Sequence, residues 1–142
     1  MTQPAGGSAP SMPSIGLEAS VEKIVPPEWT LAAFDAKLPP VFSTPAMIGL
    51  MEVAASHAVL PELRPGTITV GTRIEVDHLK AVPAGTTVRA TARLVKYEGR
   101  FLVFDVEARA GDVLLGRGRV FRAVVQHGTF DAQAKARKDA ST

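Results

Sequence analysis

Between Pro45 and Pro61 the chain carries a single formally charged residue, Glu52, in a run of fifteen otherwise uncharged, mostly apolar or small residues. The stretch Thr44–Leu60, TPAMIGLMEVAASHAVL, is predicted to be one helix. Thr44 has a hydroxyl suited to cap a free N–H of the first turn. Pro45 suits the first helical position, where its missing N–H costs nothing, and Pro61 ends the run. One turn from Glu52 stand Ile48, Gly49, Ala55 and Ser56, all apolar or small. A surface helix shows a polar face, and this one has almost none. Such a helix belongs inside something. A carboxylate on it must find a partner, take up a proton or serve a purpose.

The rest of the chain supplies the enclosure. Leu17 to Val25 reads as a strand stopped by Pro26-Pro27, and 28–42 as a loop with a short helical turn. After Pro65-Gly66 the period changes from helix to strand. From Val70 to His78, the residues Val70, Thr72, Ile74, Val76 and His78 alternate with Arg73, Glu75 and Asp77, which places His78 at a strand end on the inward face. Three further strands follow, Thr86–Tyr97, Phe101–Ala110 and Val113–Val125, joined by the turns Glu98-Gly99 and Gly111-Asp112. Gly116 and Gly118 mark a bulge or a close backbone approach. Strand, buried helix, then four strands with short turns predict an antiparallel sheet of five strands wrapped around one helix. This is the α+β hot-dog fold. One sheet leaves an edge and part of the helix uncovered, so a homodimer is the expected unit.

Residues 1–14, rich in Gly, Pro and Ser, are expected to be disordered. Residues 15–130 form the hot-dog domain, and 131–142 a disordered basic tail. There are no cysteines among the 142 residues, so thiolate metal sites and disulfides are out. The histidines at 57, 78 and 127 show no metal-ligand spacing, and no cofactor is called for. No apolar run is long enough to span a bilayer, and the N-terminus lacks the features of a secretory signal. The expected location is therefore cytoplasmic, with no membrane partner. A formal net charge of only +2, with scattered basic residues and few aromatics, argues against a nucleic-acid partner.

The chemistry-bearing set is Thr44, Glu52 and His78. Thr44 and Glu52 stand about two turns apart along one broad side of the helix. A hydroxyl, a carboxylate and an imidazole around one apolar pocket can activate a water or hydroxyl and stabilise charge on an attacked carbonyl. Each also has a plain structural role: cap for Thr44, strand-end hydrogen bonding for His78. Glu52 is the least easily explained that way.

Val41-Phe42-Ser43-Thr44 followed by Met47-Ile48-Gly49-Leu50-Met51-Glu52 resembles the central-helix motif of the fluoroacetyl-CoA thioesterase family of hot-dog proteins. Val25-Pro26-Pro27, Gly71-Thr72 with Val76 and His78, Pro83-Ala84-Gly85, and Arg122-Ala123-Val124 resemble further family segments in order. The resemblance implies hydrolysis of an acyl-CoA, with Thr44, Glu52 and His78 as catalytic residues at a dimer interface. It also implies that Gly71 lines the acyl pocket, that Arg122 lies near it, and that Phe34, Leu38 and Phe42 contact substrate. Either Thr44 or Glu52 could attack. Two phenylalanines that gate the family's pocket fall on Asp35 and Leu38 here, with Phe34 beside them. That departure points to a general thioesterase for short acyl-CoA rather than a fluoroacetyl-specific one. Arg64, Lys80, Arg117 and Arg119 are candidate cations for the CoA phosphates. A hot-dog dehydratase or hydratase, and a non-catalytic binder of acyl-CoA or another small ligand, are the alternative readings.

Overall fold

Apolar residues that alternate with charged ones give each strand an inward and an outward face, and the structure assembles the inward faces into one sheet. This computed structural model describes residues 13–141. The strands are β1 (Glu18–Ile24), β2 (Thr67–His78), β3 (Thr87–Glu98), β4 (Phe101–Ala110) and β5 (Val113–Gln126). They pair antiparallel in the order β1-β3-β4-β5-β2. The last three strands meander, while β1 and β2 close opposite edges. Helix α1 (Thr44–Val59) lies in the connection between those edge strands, so the chain must carry it across the sheet. The result is the expected α+β hot-dog fold.

Helix α1 packs chiefly on β3 and β1. It buries Met47, Met51, Ala54, Ala55 and Val59 completely or nearly so, against Val88, Ala90, Ala92 and Leu94 of β3 and the β4 row Leu102, Phe104, Val106 and Ala108. Alanines on the helix and on the strand beneath it permit a close approach. The opposite side of α1 is less covered: Gly49, Glu52 and Ser56 are half-buried and Val53 is exposed. A helix apolar on nearly all sides is thus only partly enclosed by its own sheet. Gly118 makes the close approach expected of it, since a Cβ there would strike the Glu75 carbonyl on β2.

Several local expectations change. Ser43, not Thr44, caps α1, its Oγ accepting from Ala46 N–H at 3.2 Å. The segment before the helix forms two 3-10 turns, Pro27–Trp29 and Leu31–Ala33, stitched down by bridges from Thr30 to Phe42 and from Val41 to Pro83. Strand β2 is bulged between Gly71 and Arg73. Thr72 is the extra residue, so Thr69 and Gly71 share the inward face with Ile74, Val76 and His78, and Val70 does not.

The tail expected to be disordered forms helix α2 (His127–Ala140), with no buried residue. Its alanines, lysines and arginine are strong helix formers, and Arg137 and Lys138 sit in the last turn, where cations favour the helix dipole. At the other end, residues 1–12 of the expected disordered segment lie outside the described residues. Ser14 is held by Glu62, whose Oε1 accepts from its N–H at 3.0 Å and its hydroxyl at 3.1 Å. No described helix is long and apolar enough to cross a membrane.

Candidate active site

Thr44 opens α1 as its first residue, and His78 closes β2. Their side chains meet, with Thr44 Oγ1 and His78 Nδ1 2.7 Å apart. With the ring proton on Nε2, the hydroxyl donates to Nδ1 and the imidazole is placed to take its proton. The cap explains why Thr44 is free to do this. Ser43 Oγ takes the Ala46 N–H, the Ser43 carbonyl takes the Met47 N–H, and Ser43 N–H itself donates to Trp29 O. Pro45 has no N–H. Among the described residues, the Thr44 N–H is the first-turn donor left without a partner, at the positive end of the helix. Thr44 and His78 line a cleft of about 330 Å³ whose wall includes Phe42 and Leu79 and whose cation is Lys80.

Glu52 belongs to a second group. Its Oε1 accepts from Arg122 Nη1 at 3.0 Å. Arg122, on β5, is buried, and its other nitrogens are occupied: Nε donates to Thr69 Oγ1 at 2.9 Å and Nη2 to the Thr69 carbonyl at 2.8 Å. Burial pulls the guanidinium below its ordinary pKa, and the Glu52 charge and hydrogen bond partly offset this. It remains a cation throughout the physiological range. Gly71 lies against the carboxylate; any Cβ there would run into Glu52 Oε1. The partner that a carboxylate on an apolar helix requires is therefore a fixed arginine. Oε2 of Glu52 has no hydrogen-bond partner among the described residues.

The three residues expected to converge on one pocket thus form two groups in a single copy. Thr44 and Glu52 are separated by about 12 Å of helix rise, and neither Glu52 nor Arg122 lines the Thr44–His78 cleft. Phe42 is buried in the wall of that cleft. Phe34 lines a different one, an apolar hollow of about 440 Å³ along α1 with Trp29, Leu50 and Val53. Leu38 is exposed and lines neither. Arg117 and Arg119 are on the outward face of β5. Arg119 donates to Asp105 at 3.1 Å, and Arg117 stands opposite Glu107 and Asp77, which leaves Lys80 as the cation beside the site. Arg64 is exposed and lines neither cleft. His57 is exposed, and His127 pairs with Asp131 one turn along α2. Sequence reasoning missed Thr69 and Ser43. Gly71 was the available signal for Thr69, because a glycine within a strand marks a bulge that shifts the faces.

Residues 25–128 match the model of the family described as fluoroacetyl-CoA-specific thioesterase. The chain is 42% identical over 105 residues to the fluoroacetyl-CoA thioesterase of Streptantibioticus cattleyicolor, covering 74% of this chain and 76% of that protein. A solved structure of the fluoroacetyl-CoA thioesterase superposes with a TM-score of 0.82 at 37% identity, over 87% of this chain and 96% of that one. A threonine-to-serine variant of it in complex with acetyl-CoA gives 0.83 at 36%, over 87% and 98%. A Thermus thermophilus hypothetical protein, a thioesterase superfamily member, gives 0.82 at 31%, over 91% and 96%. The chain belongs to the fluoroacetyl-CoA-specific thioesterase family.

Proposed function

We propose that this thioesterase hydrolyses a small acyl-CoA to the free acid and CoA, at a site assembled from two copies of the chain. The 2.7 Å contact between Thr44 Oγ1 and His78 Nδ1 carries the reading. Thr44 Oγ attacks the thioester carbonyl as His78 accepts its proton, and the Thr44 N–H donates to the oxyanion. The tetrahedral intermediate collapses with cleavage of the C–S bond, and His78 returns the proton to the departing CoA thiolate. A water then attacks the acyl-threonine carbonyl as Glu52 accepts its proton through Oε2, with Arg122 and Gly71 holding the carboxylate in place; the bond from the acyl carbon to the Thr44 oxygen breaks, the acid departs, and Glu52 passes the proton to that oxygen, which restores both groups.

A second copy is needed to bring Glu52 to the acyl group, because in one copy it stands two turns from Thr44. Two observations support a homodimer. Helix α1 has an uncovered side that includes Glu52. Strand β2 is a twelve-residue sheet edge with no pairing on its outer side among the described residues.

The acyl group is small but not restricted to fluoroacetyl. Asp35, at one gate position, accepts from the Lys37 N–H at 2.9 Å in an exposed turn, and Leu38, at the other, is also exposed. No pair of aromatic rings stands there.

Release of CoA thiol from acetyl-, fluoroacetyl-, propionyl- and arylacetyl-CoA tests this. Wild type is expected to turn over several small acyl-CoAs. Glu52→Ala is expected to lose turnover yet release about one thiol per site in a burst, since acylation by Thr44 survives. Thr44→Ala with undiminished turnover would rule out Thr44 as the nucleophile. Absence of hydrolysis of every substrate by wild type would rule out the assignment itself.

A further inference from the structure

Resting on the thioesterase reading above, we propose that the acyl group this site favours ends in a carboxylate, as in the malonyl and succinyl monothioesters of CoA, and that Lys80 holds that carboxylate. The Thr44–His78 cleft lies between two stretches of chain that are tied to each other at both ends. Thr44 Oγ1 meets His78 Nδ1 at 2.7 Å, and further along the Val82 carbonyl accepts from the Phe42 N–H at 2.8 Å. Lys80 stands midway between the two ties. Its N–H and that of Leu79 both donate to the Leu115 carbonyl on β5, at 3.1 and 2.7 Å. The chain turns there at the end of β2, and the backbone that carries the lysine into the cleft lining is fixed.

Lys80 differs from the arginines around the site. Arg122 and Arg119 already hold carboxylates, those of Glu52 and Asp105. The Lys80 ammonium has no ion-pair or side-chain hydrogen-bond partner among the described residues, and no carboxylate lines the cleft with it. The rest of the wall beside Thr44 and His78 is apolar: Leu31, Val41, Phe42, Leu79 and Ala81. An anion that reaches the ammonium there meets fewer competing dipoles than in open water, and a charge-assisted hydrogen bond gains accordingly. The neighbouring hollow along α1 has the opposite character. It carries Glu28 and no cation, which suits a neutral apolar group and repels an anion.

Both the acyl group and CoA can present an anion to a lysine, and reach separates them. Two residues of chain span at most about 7 Å, so Lys80 stays that close to His78. It shares with the Thr44 hydroxyl a single cleft of about 330 Å³. The whole pantetheine arm separates the CoA phosphates from the thioester. The carboxylate of a malonyl or succinyl group is separated from the attacked carbonyl only by its short methylene bridge. A cation this near the nucleophile therefore matches the acyl end of the substrate.

The test is a ratio of kcat/KM values within one enzyme, which does not depend on how much of a variant folds. Succinyl-CoA and butyryl-CoA match in chain length and differ in the terminal carboxylate. Wild type is expected to favour succinyl-CoA about tenfold or more. Lys80→Met is expected to lose that preference and Lys80→Glu to reverse it, while Lys80→Arg, which keeps the charge, retains most of it. The same ratios are expected on the N-acetylcysteamine thioesters, which carry no phosphate. A wild type that hydrolyses butyryl-CoA as well as succinyl-CoA, or a preference unchanged in Lys80→Met, would overturn the proposal. So would a Lys80→Met variant that loses kcat/KM equally on both CoA thioesters and on neither N-acetylcysteamine thioester, since Lys80 would then hold a CoA phosphate. All three results leave the thioesterase reading standing; that reading falls only if no acyl-CoA is hydrolysed at all.

Discussion

Two adjacent side chains at the start of α1 make different contacts. Ser43 supplies the cap and Thr44 the hydroxyl that meets His78. Ser43→Ala should therefore cost about 1 kcal/mol of stability in chemical denaturation. Thr44→Ala should leave stability nearly unchanged while lowering kcat about 10²–10⁴-fold. The reverse pattern would return Thr44 to the role of a cap. Gly71 is constrained by the carboxylate beside it rather than by its backbone. Gly71→Ala should displace Glu52 and lower kcat/KM about 10²-fold with the thermal midpoint little changed. Thr69 acts one step further back, through Arg122. Thr69→Val leaves the buried Nε without an acceptor and should cost about 1–3 kcal/mol, whereas Thr69→Ser, which keeps the oxygen, should restore most of it.

The elements were legible in the sequence to the extent that each announced its own period. Helix α1 stood out because two prolines bound it and only one charge interrupts it. The three C-terminal strands stood out because their apolar residues alternate. Two elements carried conflicting signals. In β2, alternation read from Val70 runs unbroken, yet a single extra residue at Thr72 exchanges the faces upstream of it, which hid Thr69. In α2, low hydrophobicity suggested fraying, yet helix propensity and the basic last turn suffice for an exposed helix. Since no residue of α2 is fully buried and Phe130, its half-buried aromatic, is kept, removal of residues 131–142 should shift the melting temperature by no more than about 2 °C and leave thioester hydrolysis intact. Glu52, Thr44 and His78 were legible as residues, but their division into two groups was not. That division depends on which strand carries the arginine that takes hold of the carboxylate.

At the scale of the molecule, the fold leaves two deficits that one remedy answers. Helix α1 is apolar on more sides than one sheet can cover, and β2 is a long edge without a neighbour. The candidate site is divided in the same way: the Thr44 hydroxyl meets His78 at one point of the helix, and the Glu52 carboxylate is held by Arg122 two turns away. The proposed second copy would cover the helix, pair the edge and join the two groups. Complementation tests this most directly. Glu52→Ala and His78→Ala chains, carrying different tags, are co-expressed, and the mixed dimers are assayed for thioester hydrolysis beside each parent. If the site is shared, each parent is inactive, whereas every mixed dimer retains one intact site of its two. A random mixture then recovers about a quarter of wild-type activity. If mixed dimers form and remain as inactive as their parents, each site lies within one chain, and the shared-site account is wrong.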